Sequence, residues 1–127
     1  MIVADTDVLI DALYKKAPAY ERIKFELGTG KLATTCVTAF ELLSGARTPV
    51  VERSVEILLA AMTILALDAP AARKAAEVRR VLEAAGRGIR TADYLIAGIA
   101  LARSAILLSR NRDHFERVPG LILGTLT

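Results

Sequence analysis

The chain of 127 residues contains one cysteine, one histidine and no tryptophan. Because Cys36 is alone, it cannot form an intrachain disulfide, and we expect a reducing, cytoplasmic environment. One cysteine and one histidine are also too few for a zinc site. Long apolar runs are lacking as well. The longest uncharged apolar run covers residues 57–67 and is shorter than the ~18 residues that a membrane span requires. An acid at position 5 argues against a secretory signal peptide.

Aromatic residues make up only 5% of a chain that is 54% hydrophobic. The core is therefore expected to be aliphatic, and part of the apolar excess is expected to face a partner protein. The length fits one domain over residues 1–127, which can bury roughly 68–70% of its unfolded surface.

Positive charge is concentrated in the second half of the chain. Residues 1–67 contain 7 basic and 8 acidic side chains, whereas residues 68–127 contain 10 basic and 6 acidic ones. This excess favours a polyanionic partner such as a nucleic acid, although solvated helix faces would explain the charges equally well. The basic residues concerned are Arg73, Lys74, Arg79, Arg80, Arg87, Arg90, Arg103, Arg110, Arg112 and Arg117.

Short apolar runs alternate with helical patterns along the chain. Strands are predicted at residues 2–4, 32–35, 63–67, 105–109 and 121–123, with helices at 18–27, 37–44, 50–62, 70–85 and 92–103 and a short turn at 112–116. Such alternation predicts an α/β protein with three layers, α/β/α, around a central parallel sheet of about five strands. The pattern does not determine the order of the strands.

Five polar side chains are expected at the carboxyl edge of this sheet: Asp5, Glu41, Asp93, Asn111 and Asp113. Carboxylates on one rim repel each other unless a cation neutralises them, and a ligand set made only of oxygen atoms suits Mg²⁺ or Mn²⁺. Each residue also has a purely structural explanation as a helix cap or as a charge in a first helical turn.

The capping explanations are specific enough to test. The apolar residues that follow position 7 have helical spacing and predict a helix that Asp5 or Asp7 can cap, and Thr38 with Glu41 fits a capping box. Asp93 follows a possible cap at Thr91.

Four segments carry a resemblance to a known family. They are MIVADTDVLI at 1–10, ELLSG at 41–45, DYLIAGIA at 93–100, and SRNRDHF at 109–115 continuing to VPGL at 118–121. Together they resemble the PIN domain and, more narrowly, the VapC-type toxins of bacterial and archaeal toxin–antitoxin pairs. The resemblance implies a metal-dependent ribonuclease that hydrolyses RNA phosphodiester bonds, is usually a homodimer and is inhibited by a cognate antitoxin.

The same resemblance assigns roles to the acids. Asp5 and Asp93 match the main ligands of Mg²⁺ or Mn²⁺, and Glu41 matches the second acid of the family. Asn111 lies where many members have Asp or Asn, and Asp113 is an additional acid nearby. Because an amide oxygen carries no net charge, we expect Asp113 to contribute more than Asn111 to binding a hard cation.

Neighbouring residues receive secondary assignments. Thr6 matches the hydroxyl residue that supports the first aspartate, and Asp7 stands where the family usually has Asn. His114 and Phe115 are expected to be structural, and Tyr94 is expected to be a half-buried core residue rather than a base-stacking one.

Three other functions compete with the ribonuclease. Asp5 and Asp7 also resemble the first motif of haloacid-dehalogenase-like phosphatases, but Val8 and Leu9 replace the small residues that should follow. A response-regulator receiver would need a phospho-acceptor aspartate after the third strand, where only Asp68 is available, and a lysine after the fifth strand. A PIN-like scaffold that binds without cleaving is the third alternative.

Overall fold

A computed structural model describes all residues from 1 to 127. It contains five strands and seven helices. The strands are β1 (Ile2–Ala4), β2 (Leu32–Thr35), β3 (Thr63–Leu65), β4 (Ile106–Leu108) and β5 (Ile122–Leu123). The helices are α1 (Thr6–Leu13), α2 (Ala19–Thr29), α3 (Cys36–Gly45), α4 (Pro49–Ala60), α5 (Ala69–Ala84), α6 (Thr91–Ala102) and α7 (Arg112–Phe115).

All five strands are parallel and form one sheet in the order β3-β2-β1-β4-β5. The central strand β1 pairs Ala4 with Thr34 of β2 on one side and with Leu108 of β4 on the other. The predicted class, a parallel sheet covered by helices, is confirmed. Because the three central strands end at the same level, the residues that follow them, including Asp5 and Ser109, share one edge.

Two apolar clusters hold the helices against the sheet. On one face α5 and α6 pack over Val3 and Leu107; on the other face α1, α2 and α4 pack over Ala4 and Leu108. The contact between α5 and α6 is very close, since a Cβ atom at Gly98 would lie only 2.5 Å from the carbonyl oxygen of Ala71. Hence α6, which carries Asp93, is firmly seated against its neighbour.

The capping residues differ in part from those predicted. Asp5 does cap α1, but α3 is capped by Thr35, whose hydroxyl accepts a hydrogen bond from the Thr38 amide. The capping box of Thr38 and Glu41 is therefore wrong. Thr91 is likewise the first residue of α6 rather than its cap.

The core is aliphatic, as predicted, except for two aromatic side chains. Phe115 and Tyr94 are both buried, and the Tyr94 hydroxyl accepts a hydrogen bond from the Ile89 amide at 3.0 Å. This hydroxyl is therefore occupied within the core. None of the seven helices has the length and apolar character needed to cross a bilayer.

Candidate active site

Asp5 is the residue that connects the central strand to the first helix. Its carboxylate is buried and accepts two hydrogen bonds, one from the Thr6 amide at 2.8 Å and one from the Ser109 hydroxyl at 2.7 Å. Ser109 follows the neighbouring strand β4, and its hydroxyl also accepts a hydrogen bond from the backbone amide of Asn111 at 2.9 Å. One buried hydroxyl thus joins the polar residues after β1 to those after β4.

Asp93 lies in the first turn of α6 and is surrounded by three partners. Arg90 donates to both carboxylate oxygens, with Nη2 3.1 Å from Oδ1 and Nε 3.4 Å from Oδ2. Oδ2 also accepts from the Asn111 side-chain amide at 3.4 Å. Nδ1 of His114 lies 3.0 Å from Oδ2 and 2.9 Å from the Asn111 amide nitrogen, and its tautomer decides which contact is a hydrogen bond. Asn111 therefore contacts Asp93 rather than capping α7.

Glu41 reaches the site through a hydroxyl on α1. Thr6 donates a hydrogen bond from Oγ1 to Oε1 of Glu41 at 2.6 Å, and its hydroxyl oxygen lies 3.0 Å from that of Thr38. The resemblance had given this hydroxyl to the first aspartate. Instead the Thr6 side chain orients Glu41, and only the Thr6 backbone supports Asp5. The hydroxyl that supports Asp5 belongs to Ser109.

Two further acids, Asp7 and Asp11, lie on α1 and have different environments. Asp7 accepts a hydrogen bond from the Arg110 amide at 3.2 Å, and its Oδ2 lies 3.5 Å from the Ser109 hydroxyl. Asp11 is buried and pairs with the Arg110 guanidinium at 3.1 Å. These contacts tie the segment after β4 to α1 and so fix the position of Ser109.

Asp113 lies outside this network. Its side chain is exposed on α7 and makes no hydrogen bond or ion pair. His114, which was expected to be merely structural, contacts Asp93 instead. Of the five residues predicted to form the site, the structure joins Asp93 with Asn111, links Asp5 to Asn111 through Ser109, and ties Glu41 to the residue after Asp5.

The electrostatics of the site reflect burial of like charges. Burial, together with the negative charge of Asp7 and a smaller contribution from Asp93, raises the pKa of Asp5 to about 7 despite the hydrogen bonds from Ser109 and Thr6. Burial also raises the pKa of Asp7. The hydrogen bond and the charge of Asp93, with weaker contributions from Glu41 and Asp5, raise the pKa of Arg90. The charge of Arg90 therefore interacts with Asp93, Glu41 and Asp5.

The donor chemistry of the site fits a hard divalent cation. Its anionic groups are carboxylates, and the raised pKa of Asp5 means that a neighbouring positive charge would stabilise the ionised form. The side chains are not arranged as a ready-made metal centre, since no three histidine, cysteine or acidic side chains converge. With Arg90 and His114 both on Asp93, cation binding requires side-chain movement.

Comparison with known proteins places this geometry in a family. Residues 2–121 match the PIN domain. The chain belongs to the PIN-domain family. It is 35% identical over 121 residues to the tRNA(fMet)-specific endonuclease VapC of Shigella flexneri, covering 92% of this chain and 91% of that protein. It is 30% identical over 122 residues to ribonuclease VapC19 of Mycobacterium tuberculosis, covering 95% and 97%.

A solved structure agrees with the sequence relatives. The toxin–antitoxin pair VapBC2 of Rickettsia felis, crystallised with a DNA fragment of its promoter, matches with a TM-score of 0.88 and 27% identity over 98% of each chain. The protein is accordingly a PIN-domain endoribonuclease of the VapC toxin type. The PIN match over residues 2–121 replaces the receiver alternative, and Asp68, the only candidate phospho-acceptor, caps α5 and pairs with Arg103.

Two residues that matter in the PIN site were not singled out from sequence. Ser109 appeared only as the first residue of the segment at 109–115, and Arg90 only as one of many basic residues. The spacing of Arg90 and Asp93, three apart around a helix start, is a signal that could have identified the pair. No comparable local signal exists for Ser109, because its partner Asp5 is 104 residues away.

The raised pKa of Asp5 predicts a characteristic pH dependence of stability in the presence of EDTA. The pKa of Asp5 is about 7 in the folded chain and about 3.9 in the unfolded chain. Between about pH 4 and 7 the folded chain therefore binds more protons than the unfolded one. Stability should therefore fall as the pH rises through this window, by on the order of 3 kcal/mol from this group. Asp5→Asn, which keeps the acceptor for the Thr6 amide, should remove most of that fall.

Urea denaturation of both proteins at pH 5 and pH 8 measures the effect. Asp113→Asn is the matched control, because Asp113 is exposed and without side-chain partners. It should leave the pH dependence unchanged. If wild type and Asp5→Asn lose equal stability between the two pH values, Asp5 does not carry the raised pKa.

Proposed function

We propose that this toxin is a divalent-metal-dependent endoribonuclease whose cation is held by Asp5 and Asp93, with Glu41 and Asn111 completing the site. The observation that carries the proposal is the pair of buried aspartates on neighbouring elements of one sheet edge, linked through Ser109 and Asn111. Burying acids in this way is unfavourable unless they are hydrogen-bonded and neutralised, and a bound cation would supply the positive charge that Asp5 lacks. Residues 1–127 are proposed to act as one PIN-like nuclease domain.

A Mg²⁺ or Mn²⁺ ion bound there would lower the pKa of a bound water and offset charge on the scissile phosphate. Hydrogen bonds from neighbouring residues position the carboxylates that would bind the ion. Ser109 and the Thr6 amide fix the Asp5 carboxylate, and the Thr6 hydroxyl fixes Glu41. The Asn111 side-chain amide donates to Oδ2 of Asp93, and Nδ1 of His114 lies 3.0 Å from the same oxygen. Exposed arginines around the site would bind the RNA backbone.

A structured RNA, and first of all a tRNA, is the proposed substrate. The support is that relatives from Shigella flexneri and Salmonella typhimurium carry the name tRNA(fMet)-specific endonuclease. Sequencing the ends of cellular RNA after brief expression would identify the target directly. Scattered ends in many messenger RNAs, with tRNA intact, would contradict the proposed substrate.

Cleavage should depend on the two buried aspartates and on free metal. Asp5→Asn and Asp93→Asn should each fold and lose at least about a hundredfold in cleavage rate, because a carboxylate charge is removed from the cation. EDTA should abolish wild-type activity, and added Mg²⁺ or Mn²⁺ should restore it.

Asp68→Asn is the matched acid-to-amide control. Asp68 caps α5 and pairs with Arg103 at the distant end of α6, and asparagine caps a helix equally well. This variant should cleave RNA at the wild-type rate. Undiminished cleavage by Asp5→Asn or Asp93→Asn, or by wild type in EDTA, would contradict the metal mechanism.

A metal titration should rank the two residues after β4. Asn111 contacts Asp93, whereas Asp113 is exposed without contacts, so the geometry reverses the order expected from charge alone. Asn111→Ala should raise the Mg²⁺ concentration for half-maximal cleavage several-fold, and Asp113→Ala should leave it nearly unchanged. The opposite result would mean that α7 rearranges to bring Asp113 to the cation.

The proposed partners are a second copy of the chain and a cognate antitoxin. Support comes from large apolar side chains on the surface, among them Phe25, Phe40 and Ile57, and from the VapBC complexes of similar fold. Sedimentation at micromolar concentration should show a homodimer, and co-expressed antitoxin should inhibit cleavage. A monomer under these conditions would contradict self-association.

A further inference from the structure

Arg90 and Asp93 form an ion pair whose two members are very unequally exposed. The Asp93 side chain is 1% exposed and the Arg90 side chain 63%. Asp93 lies on α6, whose backbone packs closely on α5 at Gly98, and its carboxylate is enclosed by neighbouring residues. The Arg90 guanidinium, in contrast, ends in solvent and contacts only Asp93. If the pair separates, the arginine is the member that moves.

The two oxygens of Asp93 differ in what holds them. Oδ2 faces three groups, namely Arg90 Nε, the Asn111 amide and His114 Nδ1, and two of these come from α7 and the residue before it. Oδ1 has a single partner, Nη2 of Arg90 at 3.1 Å. Oδ1 is therefore the oxygen that becomes free when one exposed side chain swings away.

The backbone around Arg90 is anchored even though its side chain is exposed. The Ile89 amide donates to the Tyr94 hydroxyl at 3.0 Å, and Arg117 donates to the carbonyl oxygens of Arg87 and Gly88. These bonds hold the start of α6 in place while the guanidinium moves. A side-chain rotation is thus sufficient to open Oδ1, with no change of fold.

We infer that Arg90 is an internal counter-ion that a divalent cation displaces from Oδ1 of Asp93, and that the released guanidinium then binds a phosphate of the RNA. The inference rests on the proposed metal-dependent function. The Arg90 guanidinium and a metal cation compete, because both would bind the same side of Oδ1 of Asp93. Once released, the guanidinium stays at the edge of the site, where its planar fork suits a phosphodiester.

Binding of Mn²⁺ to the RNA-free protein, measured by calorimetry, tests the first step without reference to cleavage. Arg90→Gln should bind Mn²⁺ roughly tenfold more tightly than wild type, because the competing guanidinium is removed. The expected gain in affinity is modest because the guanidinium is largely exposed and its ion pair with Asp93 is therefore weak. Arg90→Lys, which keeps the charge but not the fork, should lie between them.

Arg87→Gln is the matched control for the loss of one positive charge. Arg87 is exposed in the same loop, and its side chain makes no hydrogen bond or ion pair. If Arg87→Gln tightens Mn²⁺ binding as much as Arg90→Gln does, or if Arg90→Gln binds Mn²⁺ no more tightly than wild type, the competition is overturned. Absence of Mn²⁺ binding in every variant would instead overturn the metal-dependent function itself.

The second step is tested by varying RNA at saturating Mn²⁺. Arg90→Gln should then need several-fold more RNA for half-maximal cleavage, while the rate at saturating RNA changes little. The combination of tighter metal binding and weaker RNA binding is not produced by a merely structural role. An unchanged RNA dependence would overturn the transfer of Arg90 to phosphate.

Discussion

Burial of negative charge at one edge of the sheet is the constraint on which this structure depends. Asp5 leaves the central strand with its carboxylate buried beside Asp7, and Asp93 is buried in the first turn of α6. Such groups destabilise a fold unless each is hydrogen-bonded and neutralised. The surrounding residues meet this demand at Asp93, where Arg90 supplies a positive charge and Asn111 a hydrogen bond, and His114 lies in contact. At Asp5 they meet it only in part, because Ser109 and Thr6 supply hydrogen bonds and no positive charge.

The parallel topology explains why these groups meet at all. With β1 between β2 and β4, the chain segments that follow all three strands emerge side by side. Asp5 follows β1, the Thr35 cap of α3 ends β2, and Ser109 follows β4. The sheet thus supplies proximity, and the local hydrogen bonds supply orientation. Glu41 is the clearest case, because its position is set through Thr6 on another helix.

Much of this could be predicted from the sequence, and the exceptions share a physical cause. Strands and helices follow from local periodicity, so β1 and β2 were predicted with the observed bounds and the others within a few residues. Strand order depends on pairing between distant segments and was left open. The roles of Ser109 and Thr6 were missed or misassigned for the same reason, since their partners lie 104 and 35 residues away. Asp113 shows the converse: proximity along the chain to Asn111 did not place it in the same network.

The partners of Asp93 also explain how one site can be both stable and reactive. A buried carboxylate fully enclosed by rigid partners would be stable but closed to a cation. Here the α7 side of Asp93 is held by half-buried side chains, whereas the other oxygen is held by one exposed arginine. The folded state thus satisfies the buried charge with a group that solvent can replace at small cost. The contacts at Oδ2 stabilise the buried carboxylate, and the single contact at Oδ1 allows Arg90 to be exchanged for a cation. An acid that binds a cation requires both properties.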